Sequence, residues 1–442
     1  MHYISFQPVD ILLIIIYFFL IGQISFYSIS YRNRIVISFL LLLSFALKIV
    51  VGFYLNENAF YALQHRFLFS EYDATNYYLN SVFDIATQNT FIPDLHWSIA
   101  DPGFNILLYW VGKIYSFCFH GLSISYFHFI YMLIFIHTLT FIYMFIQLEK
   151  DIKLYKNVII LFSVFMFFEP MMLRFAFSLE REIVVSLLLL IFIIAFMNNN
   201  IVLIIISSFI LIMFREVYLY LIPTYIVSYL VFRKFFSGRI ISFLCFAFVL
   251  FSLTVYAVSL NFESMETLFF QQGKQTVGSG FGAVIMSSNY FLRTILYSFL
   301  GFVAPVPIYP FFDKEFSTIY LFSFVTGLSS ISYIFLNSYI IYSLSQFECQ
   351  IDNKLLNINM LYNTIYKAYI VIFLSHLVFQ GLIFNIRHRL QIIPGLVFIF
   401  LYILNIQSAH KELTIDLGKW FFHCVLLIVF LNIIYVVVKI TL

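Results

Sequence analysis

Long stretches without charge constrain this 442-residue chain more than any other feature. Only 10% of its residues are charged, while 63% are hydrophobic and 21% aromatic. An ordinary soluble domain is roughly 45–50% apolar and about 25% charged. The composition therefore excludes a water-soluble enzyme, a disordered chain and a nucleic-acid binder. It predicts an all-α, polytopic integral membrane bundle forming a single membrane domain over residues 1–442. Runs rich in Phe, Ile, Leu and Tyr also exclude an outer-membrane barrel, whose strands alternate polarity at every second residue. The first apolar run, Ile11–Phe26, lacks a basic leader and an Ala-x-Ala end, so it reads as a retained span. Cys118, Cys245, Cys349 and Cys424 are scattered and read as apolar fillers, without a metal or disulfide pattern.

At roughly 20 residues per span, the chain has room for about twelve crossings. The candidates are Asp10–Ser30, Ile35–Leu55, Ile124–Gln147, Val158–Leu173, Ile183–Met197, Ile201–Phe214, Val217–Phe232, Ile240–Leu260, Thr318–Leu344, Ala368–Phe384, Leu390–Ile406 and Trp420–Val438. Lys and Arg beside spans mark the cytoplasmic face. They cluster at Arg32 and Arg34, at Lys150, Lys153 and Lys156, at Arg233, Lys234 and Arg239, and at Lys354, Lys411 and Lys419. These clusters share one face only if Phe104–Phe119 and Phe291–Pro310 are re-entrant or interfacial helices, with both termini outside. Two long extracytoplasmic segments follow, residues 56–123 and 261–317. The second contains Gln271–Gly282, a polar, glycine-rich stretch that reads as a mobile lid or substrate loop. It is no phosphate loop, because Lys274 lacks a following Ser or Thr at the required spacing.

The other ionisable groups gather at the opposite helix ends. Asp73 and Asp101 fall in the first outer segment. Arg174, Glu180, Arg181 and Glu182 lie in a turn, Arg215 and Glu216 interrupt an apolar run, and Arg387, His388 and Arg389 precede Pro394. A charge at mid-bilayer costs roughly 2.5–3.5 kcal/mol on insertion scales, and arginine on the translocated side opposes the positive-inside bias. Each arginine taken alone has a plain explanation in ion pairing with nearby glutamates or in snorkelling to headgroups. Taken together, their planar, permanently charged forks suit a lipid-linked phosphate or diphosphate. Glu180 and Glu182 fit the first turn of a helix, where the dipole favours carboxylates. Either Glu180 or Asp73 also suits the general base that takes a proton from a sugar hydroxyl. Asp73 equally suits a helix cap. His388, between two arginines, is expected to stay neutral and able to accept a proton. No DxD, HExxH or His/Cys cluster occurs, so neither a metal nor another cofactor is expected.

These residues carry a resemblance to Wzy-type O-antigen and EpsG-like exopolysaccharide polymerases. The acidic loop with Asp73 and Tyr77 precedes Ala100-Asp101-Pro102-Gly103-Phe104, the most specific match. Leu179-Glu180-Arg181-Glu182-Ile183 resembles the family's Ile-Arg-Gln helix start, with Glu182 in place of the usual Gln. Met213-Phe214-Arg215-Glu216-Val217 with Ile222-Pro223 resembles a Phe-His segment, with Arg215 replacing the usual His. Asn385-Ile386-Arg387-His388-Arg389-Leu390 with Pro394 resembles its late arginine before an apolar helix.

The resemblance implies a GT-C-like enzyme of the bacterial inner membrane. It would join undecaprenyl-diphosphate-linked oligosaccharides outside the cytoplasmic membrane and release undecaprenyl diphosphate. Arg181, Arg215, Arg387 and Arg389 would bind the diphosphate, supported by Asp101, Arg174 and Glu216. Asp73, Glu180 or His388 would serve as base, and Tyr77, Trp97 and Trp110 would stack on sugars. The lipid bilayer, a flippase and a chain-length regulator are the implied partners. An O-antigen ligase or another polyprenyl-linked glycosyltransferase would share the arginines. A flippase of the same lipid-linked units is a further alternative, although no internal repeat is visible.

Overall fold

The computed structural model describes residues 8–30, 32–62, 77, 81, 82, 84–87, 90, 102–119, 124–151, 154–169, 179–236, 239–261, 331–346, 356–381, 386–409, 418, 420–426, 428–430 and 433. Among them the regular structure is helical, with no strand. The helices are α1 Pro8–Ser28, α2 Arg34–Ala62, α3 Pro102–Cys118, α4 Tyr126–Asp151, α5 Lys156–Phe168, α6 Glu182–Met197, α7 Ile201–Phe214, α8 Tyr218–Val231 and α9 Ile240–Asn261. Residues 331–346 form α10. α11 Leu356–Gly381 and α12 Ile393–Ala409 follow.

Four helical segments are long and apolar enough to cross a membrane: Pro8–Ser28, Arg34–Phe53, Tyr126–Lys150 and Tyr218–Phe236. Others, such as Lys156–Phe168 and Ile201–Phe214, are equally apolar but shorter. At 1.5 Å per residue a 14-residue helix covers about 21 Å, less than the roughly 30 Å hydrocarbon core. The surface is inverted relative to a soluble protein. Phe19, Val36, Ile205 and Phe209 are all well exposed, while Asp10, Lys48, His128 and His137 are buried. Apolar residues outside and polar residues inside identify a helical membrane protein.

Contacts divide the chain into two units, Met1–Ala195 with Asn199–Leu219 and Phe196–Asn198 with Tyr220–Leu442. In the first, α1, α2 and α4 pack on one another, α2 also meets α5, and α3 meets α7. In the second, α11 packs on α9, on α12 and on the 3-10 turn Ile386–Gln391.

Two local features position the ionisable residues of the first unit. α6 gives way to α7 through three consecutive asparagines. Asn199 adopts φ 53°, a left-handed conformation that asparagine tolerates better than most residues. The Asn200 side chain then accepts the Leu203 N–H at 3.1 Å and caps α7. The chain thus reverses, and the first residue of α6, Glu182, meets the residue after α7, Arg215. The second feature is Gly103. A Cβ there would lie 2.8 Å from the Phe214 ring and 2.9 Å from the Met213 carbonyl carbon and oxygen. Only a glycine lets the start of α3 lie against the end of α7.

Gly103→Val must push on backbone, which cannot rotate away, and overpacking of this kind costs about 1–3 kcal/mol. Thermal unfolding in detergent should show a lowered midpoint for Gly103→Val. Gly22→Ala should show none, because nothing lies within 4 Å of its added Cβ. Equal midpoints for Gly103→Val and the parent would refute this packing role.

Candidate functional site

Residues Leu179–Glu182 enter α6 with their polar groups directed inward. The Arg181 carbonyl accepts the N–H groups of Val184 and Val185, both at 3.0 Å, so Arg181 stands at the N-cap and Glu182 begins the first turn. Glu182 is 1% exposed. Its Oε1 lies 3.3 Å from Arg215 Nη1 and 3.8 Å from Arg181 Nε. One carboxylate oxygen therefore holds two guanidinium groups.

Arg215 owes its position to the end of α7. Its extended backbone (φ −160°, ψ 109°) stops the helix, and its N–H still bonds the Leu211 carbonyl at 2.8 Å. The side chain is buried, whereas Glu216 beside it is exposed. Arg181 also reaches outward from the pair, donating from Nη1 to the Tyr77 hydroxyl at 3.4 Å. The Tyr77 ring meets Phe104 edge-on at 5.0 Å, which joins the start of α3 to the cluster. Glu180 is buried as well. It lies within electrostatic range of Tyr126, whose hydroxyl accepts the Leu179 N–H at 3.1 Å.

The second unit holds His388 and Arg389 in the turn before α12. Both are buried. The His388 ring lies 5.7 Å from Phe379. The Arg389 guanidinium sits 5.1 Å from the centre of the Tyr333 ring, within cation–π range. Burial lowers this guanidinium from its ordinary value to about 10, which leaves it charged at neutral pH. Tyr333 is anchored in turn. Its hydroxyl shares a 2.7 Å hydrogen bond with His376 Nδ1, and its carbonyl accepts from Asn337 at 2.9 Å. Tyr369 donates to the same Asn337 at 3.1 Å.

The structure thus brings Glu180, Arg181, Arg215 and Glu182 together in one unit and places His388 and Arg389 in the other. Asp73, Asp101 and Arg174 lie outside the described residues, as do the side chain of Arg387, Trp97 and the loop Gln271–Gly282. Several polar residues escaped sequence reasoning. Asn105, one residue after Phe104, is 2% exposed, and neither of its amide atoms has a hydrogen-bond partner among the described residues. Lys48 Nζ lies 3.1 Å from His137 Nδ1 and donates to the Met166 carbonyl at 3.0 Å. Asp10 Oδ1 lies 3.2 Å from His128 Nε2. A single charge inside an apolar run is a signal in the sequence, because it is expensive unless paired. Its partner is not legible there, since Lys48 and His137 stand 89 residues apart. No group of three or more metal-ligating side chains occurs among the described residues.

Removing one partner from a buried ion pair costs about 3–5 kcal/mol, because the remaining charge is left uncompensated. Glu182→Ala should lose stability on that scale in detergent unfolding. Glu182→Gln keeps the shape but not the charge, leaves both guanidiniums uncompensated, and should lose stability on a similar scale. A Glu182→Ala variant as stable as the parent would show that the carboxylate does not organise the cluster. The chain matches no family model, no curated protein and no solved structure.

Proposed function

We propose that this protein is a membrane glycosyltransferase that polymerises lipid-linked oligosaccharide repeat units, as its resemblance to the Wzy and EpsG polymerases suggests. The observation that carries the reading is the pair Arg181 and Arg215 held on Glu182, with Arg181 extending to Tyr77. The donor is a repeat unit on undecaprenyl diphosphate. A hydroxyl of the acceptor sugar attacks the donor's anomeric carbon, and the bond from that carbon to the diphosphate oxygen breaks. The diphosphate leaves with the bonding electron pair, and the hydroxyl proton passes to a base.

Arg181 and Arg215 are suited to stabilise the charge that develops on the leaving diphosphate, because guanidinium donors fixed beforehand need no reorganisation. Glu182 positions them, since its Oε1 is already shared between both. Glu180 is the described carboxylate best placed to serve as base near this cluster. The reading includes a GT-C-like bundle of about twelve spans in the bacterial inner membrane, with the site facing away from the cytoplasm. A flippase would supply the substrate and a chain-length regulator would act on the product.

A second reading draws on the pairs Lys48–His137 and Asp10–His128. Ionisable groups inside a helical membrane core characterise transporters, and a flippase of the same lipid-linked units would use them.

A deletion strain complemented with Arg181→Ala or Arg215→Ala tests the first reading. Losing one preorganised donor of this kind lowers turnover by about 100- to 1,000-fold. Gels of surface polysaccharide should show the ladder collapse to single repeat units, with protein levels maintained. Lys substitutions should restore part of the ladder. Normal ladders from both Ala variants would refute the diphosphate role, and lipid-linked units trapped inside the cell would favour transport.

A further inference from the structure

The end of the first unit where α1 turns into α2 carries a site of its own. A groove of about 650 Å³ opens between α2 and α5, with Arg32 and Lys156 among its lining residues. Lys156 opens α5, which supplies apolar residues behind it at intervals of four, while Arg32 lies in the turn just before α2. Val36 follows Arg32, and Ile160, Val164 and Phe168 follow Lys156. A spacing of four keeps side chains on one helix face, so the α5 wall of the groove runs from a charged head into an apolar stripe. Val36, Ile160, Val164 and Phe168 are 45–68% exposed.

We propose that this groove holds one anionic phospholipid, with its phosphate between Arg32 and Lys156 and an acyl chain along the α5 stripe.

The apolar stripe favours a lipid over a soluble anion, and the surrounding charges favour an anionic headgroup. The stripe from Lys156 to Phe168 covers thirteen residues, a rise of about 18 Å along the helix. That is close to one leaflet, about half of the roughly 30 Å hydrocarbon core. A free phosphate would leave this apolar wall uncovered. Among the described residues, the neighbouring carboxylate, Glu149, forms no ion pair with either cation. It accepts from Ser30 N at 2.9 Å, from Ser30 Oγ at 2.7 Å and from Asn33 Nδ2 at 2.7 Å. Glu149 thereby fixes the turn that carries Arg32 through neutral donors alone.

Arg34 folds away from the groove, donating to the Ile29 carbonyl at 3.2 Å and lying 4.7 Å from the Phe26 ring centre. Among the described residues, neither Arg32 nor Lys156 forms an ion pair. Tyr155 supplies no side-chain cap to α5, so the positive end of that helix dipole adds to the cation of Lys156. Basic pockets between helices at the cytoplasmic side of a membrane bind anionic headgroups in this manner.

The full-length protein, purified and placed in lipid discs of phosphatidylglycerol and phosphatidylcholine with matched chains, tests the assignment by native mass spectrometry. The parent should retain one phosphatidylglycerol with a preference of about 10- to 30-fold over phosphatidylcholine, as two interfacial cations supply. Arg32→Gln with Lys156→Gln should abolish that preference. Arg233→Gln with Lys234→Gln, removing another basic pair, should preserve it. Equal loss from both double variants would reduce the effect to general surface charge and overturn the proposal. Displacement of the lipid by millimolar inorganic phosphate would overturn it as well, by showing that the site reads a free anion. A parent without headgroup preference would refute it outright.

Discussion

One carboxylate oxygen shared by two guanidinium groups sets the arrangement of the first unit around its buried charges. Arg215 ends α7 and Glu182 begins α6, so the pair between them closes the hairpin at the end opposite its asparagine turn. Arg181 joins through the same oxygen and reaches Tyr77, whose ring rests on Phe104 at the start of α3. Gly103 makes the approach of α3 possible. In apolar surroundings an uncompensated charge is far more expensive than a lost apolar contact. The geometry of these helix ends therefore answers to the charges first, and side-chain packing adapts to them.

The same constraint explains what could be read in the sequence. α7 was legible to the residue, Ile201–Phe214, because a capping asparagine precedes it and a charge follows it. α6 differed by one residue for the same reason. α2 and α11 run beyond their apolar stretches, to Ala62 and back to Leu356, because a helix continues through polar residues once it is nucleated. Hydropathy registers only where the apolar part stops. The sequence placed Arg181, Glu182 and Arg215 at helix ends, but did not show the sharing of one Glu182 oxygen by both arginines. The pairs inside the spans were not legible either, since a hydropathy window tolerates a single Lys48 and carries no information about which helix will face it. Nor did the sequence reveal that Tyr333 and His376 form the support beneath Arg389.

Charge at helix ends and charge within the bundle point to different chemistry. Arg181 and Arg215 suit an anionic leaving group bound at an end of the helices. Lys48 with His137 is buried midway along α2 and α4, where a transporter places coupling groups. Asp10 pairs with His128 in the first turns of α1 and α4. The proposed polymerase assigns those pairs a structural task, tying three long spans together through polar contacts that lipid cannot supply. The first unit can meet both demands, because its ion cluster and its buried pairs share no side chain among the contacts described.

Reconstitution of the purified protein into closed vesicles with lipid-linked repeat units separates these two assignments most directly. The reading advanced here predicts that chains longer than one repeat form without any nucleotide sugar, and that undecaprenyl diphosphate is released at each addition. Movement of intact lipid-linked units across the bilayer, with no chain growth and no released diphosphate, would contradict it.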